Sequence, residues 1–194
     1  MARKNNAVQL TPRQMLEGKF NSARASLLIV LICTLINVVL IFSDSATYFM
    51  FSLFVPYILV VLGALYTGRL SGYEVPPAYM WTDTAFYIVI GFAAVCIIAF
   101  VLCWAFSKKN RVGWLIAALV LSLIDTALGI WYYGLSSDVI LDLVFHGWII
   151  VSLIGGISAH YKLKKLPPED VIIDTTAQVV EPEVIPEITE ETEE

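Results

Sequence analysis

Apolar residues fall into five long runs along the chain, separated by short polar stretches. Polar and apolar positions hardly alternate within a run, so a helix formed there would be apolar on all sides. Four of the runs, residues 25–42, 85–106, 112–133 and 139–159, lie near the ~20 residues that cross a hydrocarbon core about 30 Å thick. The pattern predicts an all-α integral membrane protein with four transmembrane helices.

The remaining run, residues 48–66, carries Pro56 near its middle. A proline inside a helix removes one backbone hydrogen bond, so this run predicts two arms of about half-membrane length. Such a pair would form a re-entrant helical hairpin that enters and leaves by one face. An ordinary fifth crossing stays open, because prolines also occur in helices that span membranes.

The distribution of basic residues favours the hairpin. Four crossings place eleven of the twelve Lys and Arg residues on one side of the membrane, with Arg69 alone on the other. Five full crossings would split them six to six and remove any charge bias. Since cytoplasmic loops are rich in Lys and Arg, we expect a cell-membrane protein with both termini in the cytoplasm.

Polar segments flank the predicted membrane domain, residues 25–160. Residues 1–24 are basic and include a capping-box pattern at Thr11-Pro12-Arg13-Gln14, which predicts a short amphipathic helix along the cytoplasmic interface. Residues 161–194 begin with a basic edge and continue, after Pro168, with ten acidic residues and no basic one. This composition predicts a disordered acidic C-terminal tail, either simply solvated or docking on a partner through its short apolar pieces.

Ionisable residues are costly inside a membrane and are therefore candidates for function. Asp125 interrupts the fourth run, and Asp138, Asp142 and His146 follow at a spacing of four that places them on one helical face. The short connection between these runs brings Asp125 and His146 to one level, about 10–12 Å from the nearer helix ends. Asn37 on the first helix lies close enough to that level to join them.

This predicted polar site allows two interpretations. The carboxylates and the imidazole can bond one another and clamp the helices together, as polar groups do inside membrane bundles. They can instead form a cation or proton site open to the outer face, with the identity of any metal left open. A third alternative places Asp138 and Asp142 in the water of the headgroup region.

Motifs for catalysis or cofactor binding are missing from the sequence. Gly134-Leu135-Ser136-Ser137 has only the beginning of a GxSG pattern, and no phosphate loop, dinucleotide turn, zinc motif or nucleic-acid module is present. We therefore expect no cofactor, no nucleic-acid partner and no enzymatic activity. The expected partners are the lipid bilayer and a membrane or cytosolic protein reached through the acidic tail.

The segments His146-Gly147-Trp148 and Lys162 to Pro167 resemble small multi-pass membrane proteins of Gram-positive bacteria that have no assigned function. The resemblance covers the last helix and its basic flank, and it implies a bacterial membrane setting without an activity. The sequence as a whole favours a non-enzymatic scaffold or partner subunit. The alternative is a small transporter or an ion- or proton-sensing protein.

Overall fold

The computed structural model describes residues 10–45, 47, 49, 51–108, 111–134 and 137–167, apart from the side chains of residues 137 and 138. This part of the chain is helical and contains no strand. Four helices are long and apolar enough to cross a membrane, which confirms the predicted class of fold. The helices are α1 (Pro12–Phe42), α2 (Phe54–Tyr66), α3 (Asp83–Phe106), α4 (Val112–Tyr133) and α5 (Ser137–Leu163), with a short 3-10 turn at Pro77–Tyr79.

The first helix begins earlier than its apolar run. Thr11 and Gln14 form the predicted capping box, and α1 then continues without a break for 31 residues. The boundary predicted between residues 24 and 25 therefore falls inside a helix, and residues 12–24 do not form a helix of their own. Phe20 and Ala23 explain the difference, because both are buried in the main apolar core together with residues of the other long helices.

The second apolar run forms a single short helix. Its 13 residues rise about 20 Å, which is less than the thickness of a hydrocarbon core. Pro56 lies in the first turn of α2, so the described residues do not show the two helical arms that the sequence predicts on either side of it. Proline is tolerated at this end of a helix because the first N–H groups have no partner within the helix.

Small residues bring α1 and α5 close together. The hydroxyl oxygens of Ser26 and Ser152 lie 3.0 Å apart, and a Cβ atom added at Gly156 would stand 2.5 Å from the Cβ of Ala23. Packing through small residues is how helices associate in lipid, where the hydrophobic effect gives little drive. This contact runs along the helix pair that forms much of the core.

Polar contacts link neighbouring helices and turns at both ends of the helices. At one end, Arg24 of α1 donates through Nε to the Ser107 hydroxyl, 2.9 Å away, at the C-terminus of α3. At the other end, Arg69 pairs with Asp83 at 2.7 Å, and Asp44 accepts hydrogen bonds from the N–H and hydroxyl of Ser71. These bonds fix the turns that follow α1 and α2.

The chain divides by its internal contacts into residues 1–164 and 165–194, and helices α1 to α5 belong to the first unit. The predicted disordered tail, from residue 168 onward, lies outside the described residues. So do residues 1–9 of the basic lead-in.

Candidate functional site

The start of α2 is held by a carboxylate from α4. Asp125 accepts a hydrogen bond from the N–H of Phe54 at one oxygen and from the N–H of Val55 at the other, both at 2.9 Å. These are the first two residues of α2, whose N–H groups have no partner within the helix. The negative charge also lies at the positive end of the helix dipole. Asp125, 3% exposed, therefore acts as the N-terminal cap of a helix about 70 residues earlier in the chain.

Two side chains of α1 hold the segment that leads into α2. The Thr34 hydroxyl accepts from the N–H of Leu53 at 2.9 Å and donates to the carbonyl of Val30 at 2.8 Å. Asn37 makes a two-sided contact with Phe49: its amide nitrogen donates to the carbonyl, and its oxygen accepts from the N–H. Both side chains are fully buried. Polar groups of α1 thus bind the backbone of Phe49 and of Leu53 in the segment before α2.

His146 of α5 joins the same site from the other side. Its Nε2 lies 3.4 Å from Asp125 Oδ2, and its ring stacks on the Phe54 ring with 4.1 Å between centroids. Its Nδ1 lies 2.8 Å from the main-chain carbonyl of Asp142. A carbonyl only accepts, so Nδ1 carries a proton and Nε2 is left facing the carboxylate. His146 thus links α5 to the capped end of α2.

A small cavity adjoins the histidine and the carboxylate. It has a volume of about 10 Å³, which is at the lower limit for a single water molecule. Ser122, Asp125 and His146 give it a polar side, and Nε2 of His146 has no hydrogen-bond partner within the described part of the chain. The rest of its lining is apolar: Leu27, Val30, Leu53 and Ile149.

The other predicted site residues behave differently. Asp142 is half-buried, and its carboxylate oxygen Oδ1 has no hydrogen-bond partner within the described part of the chain. Asp142 contributes to the site through its carbonyl rather than through its charge. Asp138 lies in the first turn of α5, but its side chain is outside the described set. Asn37 lies on the expected helix, yet it binds the backbone of Phe49 and neither Asp125 nor His146.

The sequence pattern indicates the charged residues of the site but not the backbone groups that they bind. The sequence does not single out Thr34, because threonine in a membrane helix commonly bonds a carbonyl of its own helix. The groups that these side chains bind are backbone N–H groups and the carbonyl of Phe49, and the residue types do not reveal which backbone groups need a partner. Among the described residues, no group of three or more His, Cys, Asp and Glu side chains is placed to hold a metal ion.

Gly129 of α4 provides the space for the Phe54 ring. A Cβ atom at this position would overlap the ring, so we expect Gly129→Ala to push Phe54 off His146 and to lower the free energy of unfolding by about 1–3 kcal/mol. Gly91→Ala on α3 is the matched control, since nothing lies within 4 Å of its Cβ position. Thermal melting in detergent measures both variants, and an equal response at the two positions would argue against the close packing.

No protein family matches the chain, and neither the curated proteins nor the solved structures include a similar one. Any function must therefore be argued from the residues and their geometry.

Proposed function

We propose that the protein is a four-crossing membrane protein with a re-entrant segment, residues 48–66, and that it serves as a non-enzymatic scaffold or partner subunit. Both termini lie in the cytoplasm, as the eleven-to-one distribution of basic residues favours. The observation that carries the proposal is the engagement of Asp125, Thr34 and Asn37 with the backbone of residues 49–55.

The depth of these contacts supports the re-entrant path. Thr34 lies eight residues before the end of α1, and Asp125 lies eight residues before the end of α4, which is ~12 Å along each axis. Helix α2 starts at that level and is too short to cross. Non-helical backbone at membrane depth is tolerated only where protein surrounds and satisfies it. The buried cap and the buried hydroxyl supply that satisfaction.

The use of the polar groups favours a structural role over transport. Both carboxylate oxygens of Asp125 bind backbone N–H groups, and the adjoining cavity has room for about one water molecule. A transport route would need polar groups turned toward a continuous opening. In this arrangement the cluster joins α1, α2, α4 and α5 into one rigid unit, which is what a scaffold requires.

Apolar surface remains available for a partner. Within the most apolar window of each spanning helix, only 22–39% of the residues are buried inside the chain. Trp131 of α4 is 82% exposed, and Val120 and Ile124 continue the same exposed face. These faces contact lipid or another membrane protein. A scaffold uses at least one of them for protein.

Photo-crosslinking in native membranes tests the scaffold. A crosslinking amino acid is placed once in each spanning helix, at the exposed positions Val39, Phe92, Trp131 and Val151. We expect one or two of the positions to give a discrete heavier product whose second component co-purifies at a fixed ratio after mild solubilisation. Lipid adducts at all four positions, together with a purified chain free of other proteins, would contradict a scaffold.

The ion- or proton-sensing protein is the second candidate, because Nε2 of the buried His146 faces Asp125 beside a cavity. Melting with and without millimolar divalent cations separates the two candidates, since an ion that binds the native state must raise its stability. The scaffold predicts no cation effect. Cation stabilisation that disappears in both Asp125→Asn and His146→Gln would favour the sensor.

A further inference from the structure

An apolar groove separates α3 from α4 near the turn that joins them. Its volume is about 440 Å³, and its lining consists of apolar residues. Trp114 of α4 lies three residues from Arg111, and Val120, also in the lining, lies about 9 Å farther along the helix. The groove therefore runs from the turn toward the middle of the predicted membrane. The lining includes Ala99, Leu102, Cys103, Trp114, Ala117 and Val120.

The end of the groove at the turn is cationic. Lys108 follows α3 and Arg111 precedes α4, both are exposed, and neither pairs with a carboxylate among the described residues. Arg24 is different, because it is already bound to the Ser107 hydroxyl and the Trp104 carbonyl. The first turn of α4 adds positive character, since no side chain caps its N–H groups. Two cations without a carboxylate partner among the described residues thus flank the turn next to which the groove begins.

Aromatic rings stand beside the same turn. The rings of Phe106 and Trp114 lie 5.0 Å apart across the two helices, and the Lys108 ammonium lies 5.8 Å from the centre of the Trp104 ring. Tryptophan rings such as those of Trp104 and Trp114 are typical of the headgroup level of a membrane. From the turn inward, cations are followed by aromatic rings and then by the apolar groove. This order is complementary to that of a phospholipid, in which a phosphate precedes the acyl chains.

We propose that this groove binds one anionic phospholipid, with the phosphate on Lys108 and Arg111 and an acyl chain between α3 and α4. The proposal rests on the membrane embedding of the four long helices and is independent of the scaffold. The charge of the two cations favours a lipid over a protein as the occupant. An apolar helix of a partner protein would fill the apolar groove but would leave both cations without a counter-charge. Basic pockets between membrane helices bind anionic headgroups in this manner.

Native mass spectrometry of the full chain in neutral detergent tests the site. Phosphatidylglycerol and phosphatidylcholine with identical acyl chains are added at equal concentration. We expect a single phosphatidylglycerol adduct in preference to phosphatidylcholine. Its affinity should fall roughly tenfold or more in the Lys108→Gln/Arg111→Gln variant, since each basic residue near the headgroup contributes about 1 kcal/mol. Equal retention of the two lipids by the parent would overturn the proposal.

Matched variants separate a site from general attraction. Lys162→Gln/Lys164→Gln removes the same charge from the end of α5 and should leave the adduct intact; an equal loss there would overturn the site. Val120→Trp fills this groove, whereas Val144→Trp fills another apolar groove between α1 and α5, lined in part by Phe51 and Trp148. Only Val120→Trp should weaken the adduct. A phosphatidylglycerol adduct of unchanged affinity in Val120→Trp would contradict a lipid held by its acyl chain. So would an adduct of inorganic phosphate that forms as readily as the lipid adduct.

Discussion

Replacing Asp125 by alanine is expected to destabilise the protein more than the loss of any other single carboxylate among the described residues. The substitution leaves the N–H groups of Phe54 and Val55 buried without an acceptor, at about 1–3 kcal/mol for each group. It also removes the charge from the positive end of α2. The expected loss in the free energy of unfolding is roughly 2–5 kcal/mol. Asp125→Asn retains one acceptor oxygen, so its free energy of unfolding should lie between those of Asp125→Ala and the parent.

Asp83→Ala is the matched control, because that carboxylate pairs with Arg69 at an exposed site and its loss should cost at most about 1 kcal/mol. Unfolding in mixed micelles gives the free energies. Hydrogen exchange at Phe54 and Val55 gives the local effect, which should appear in Asp125→Ala and be absent from Asp83→Ala. Unchanged exchange at both amides in Asp125→Ala would show that the carboxylate does not cap α2.

The second large effect is expected at Gly156, where α5 meets α1. A leucine there would collide with the Cβ of Ala23, which is bonded directly to the backbone and cannot rotate away. The helices must separate, and the contact between Ser26 and Ser152 is lost with them. We expect a loss of about 3 kcal/mol, at the upper end of the usual cost of overpacking.

Gly155→Leu is an internal control for that prediction, since it makes the same chemical change one residue earlier. Nothing lies within 4 Å of its Cβ position, so its melting temperature in detergent should stay close to that of the parent. Adding Ala23→Gly to Gly156→Leu should restore part of the lost stability, because it removes the Cβ atom with which the leucine collides. Similar melting temperatures for the two leucine variants would mean that α1 and α5 do not approach through Gly156.

Much of the helical framework follows from the sequence alone. The four long apolar runs predict the four helices that can span a membrane, because length and hydropathy are sufficient evidence for such segments. The capping box at Thr11 and Gln14 also forms as predicted. The extent of α1 could not be predicted in the same way. It depends on burying Phe20 and Ala23, which is a tertiary contact rather than a local preference.

Only part of the candidate site can be predicted from the sequence. Depth along two adjacent helices predicts that Asp125 and His146 lie at one level, and the structure has 3.4 Å between Oδ2 of Asp125 and Nε2 of His146. Depth does not reveal that both oxygens of Asp125 bind the backbone of Phe54 and Val55. The position of Pro56 in its apolar run predicts a break in the middle of a helix, whereas the structure has it in the first turn of one. A proline fits both places, and only the position of the cap distinguishes them.

Cysteine labelling in intact cells tests the re-entrant path of residues 48–66 most directly. The three native cysteines are first replaced by alanine, and single cysteines are then placed at Ser43, Tyr73 and Lys108, all of which are exposed. If the segment enters and leaves by one face, a reagent that cannot cross the membrane should modify Ser43→Cys and Tyr73→Cys but not Lys108→Cys. Labelling of only one of the first two positions would place them on opposite sides of the membrane and contradict the account.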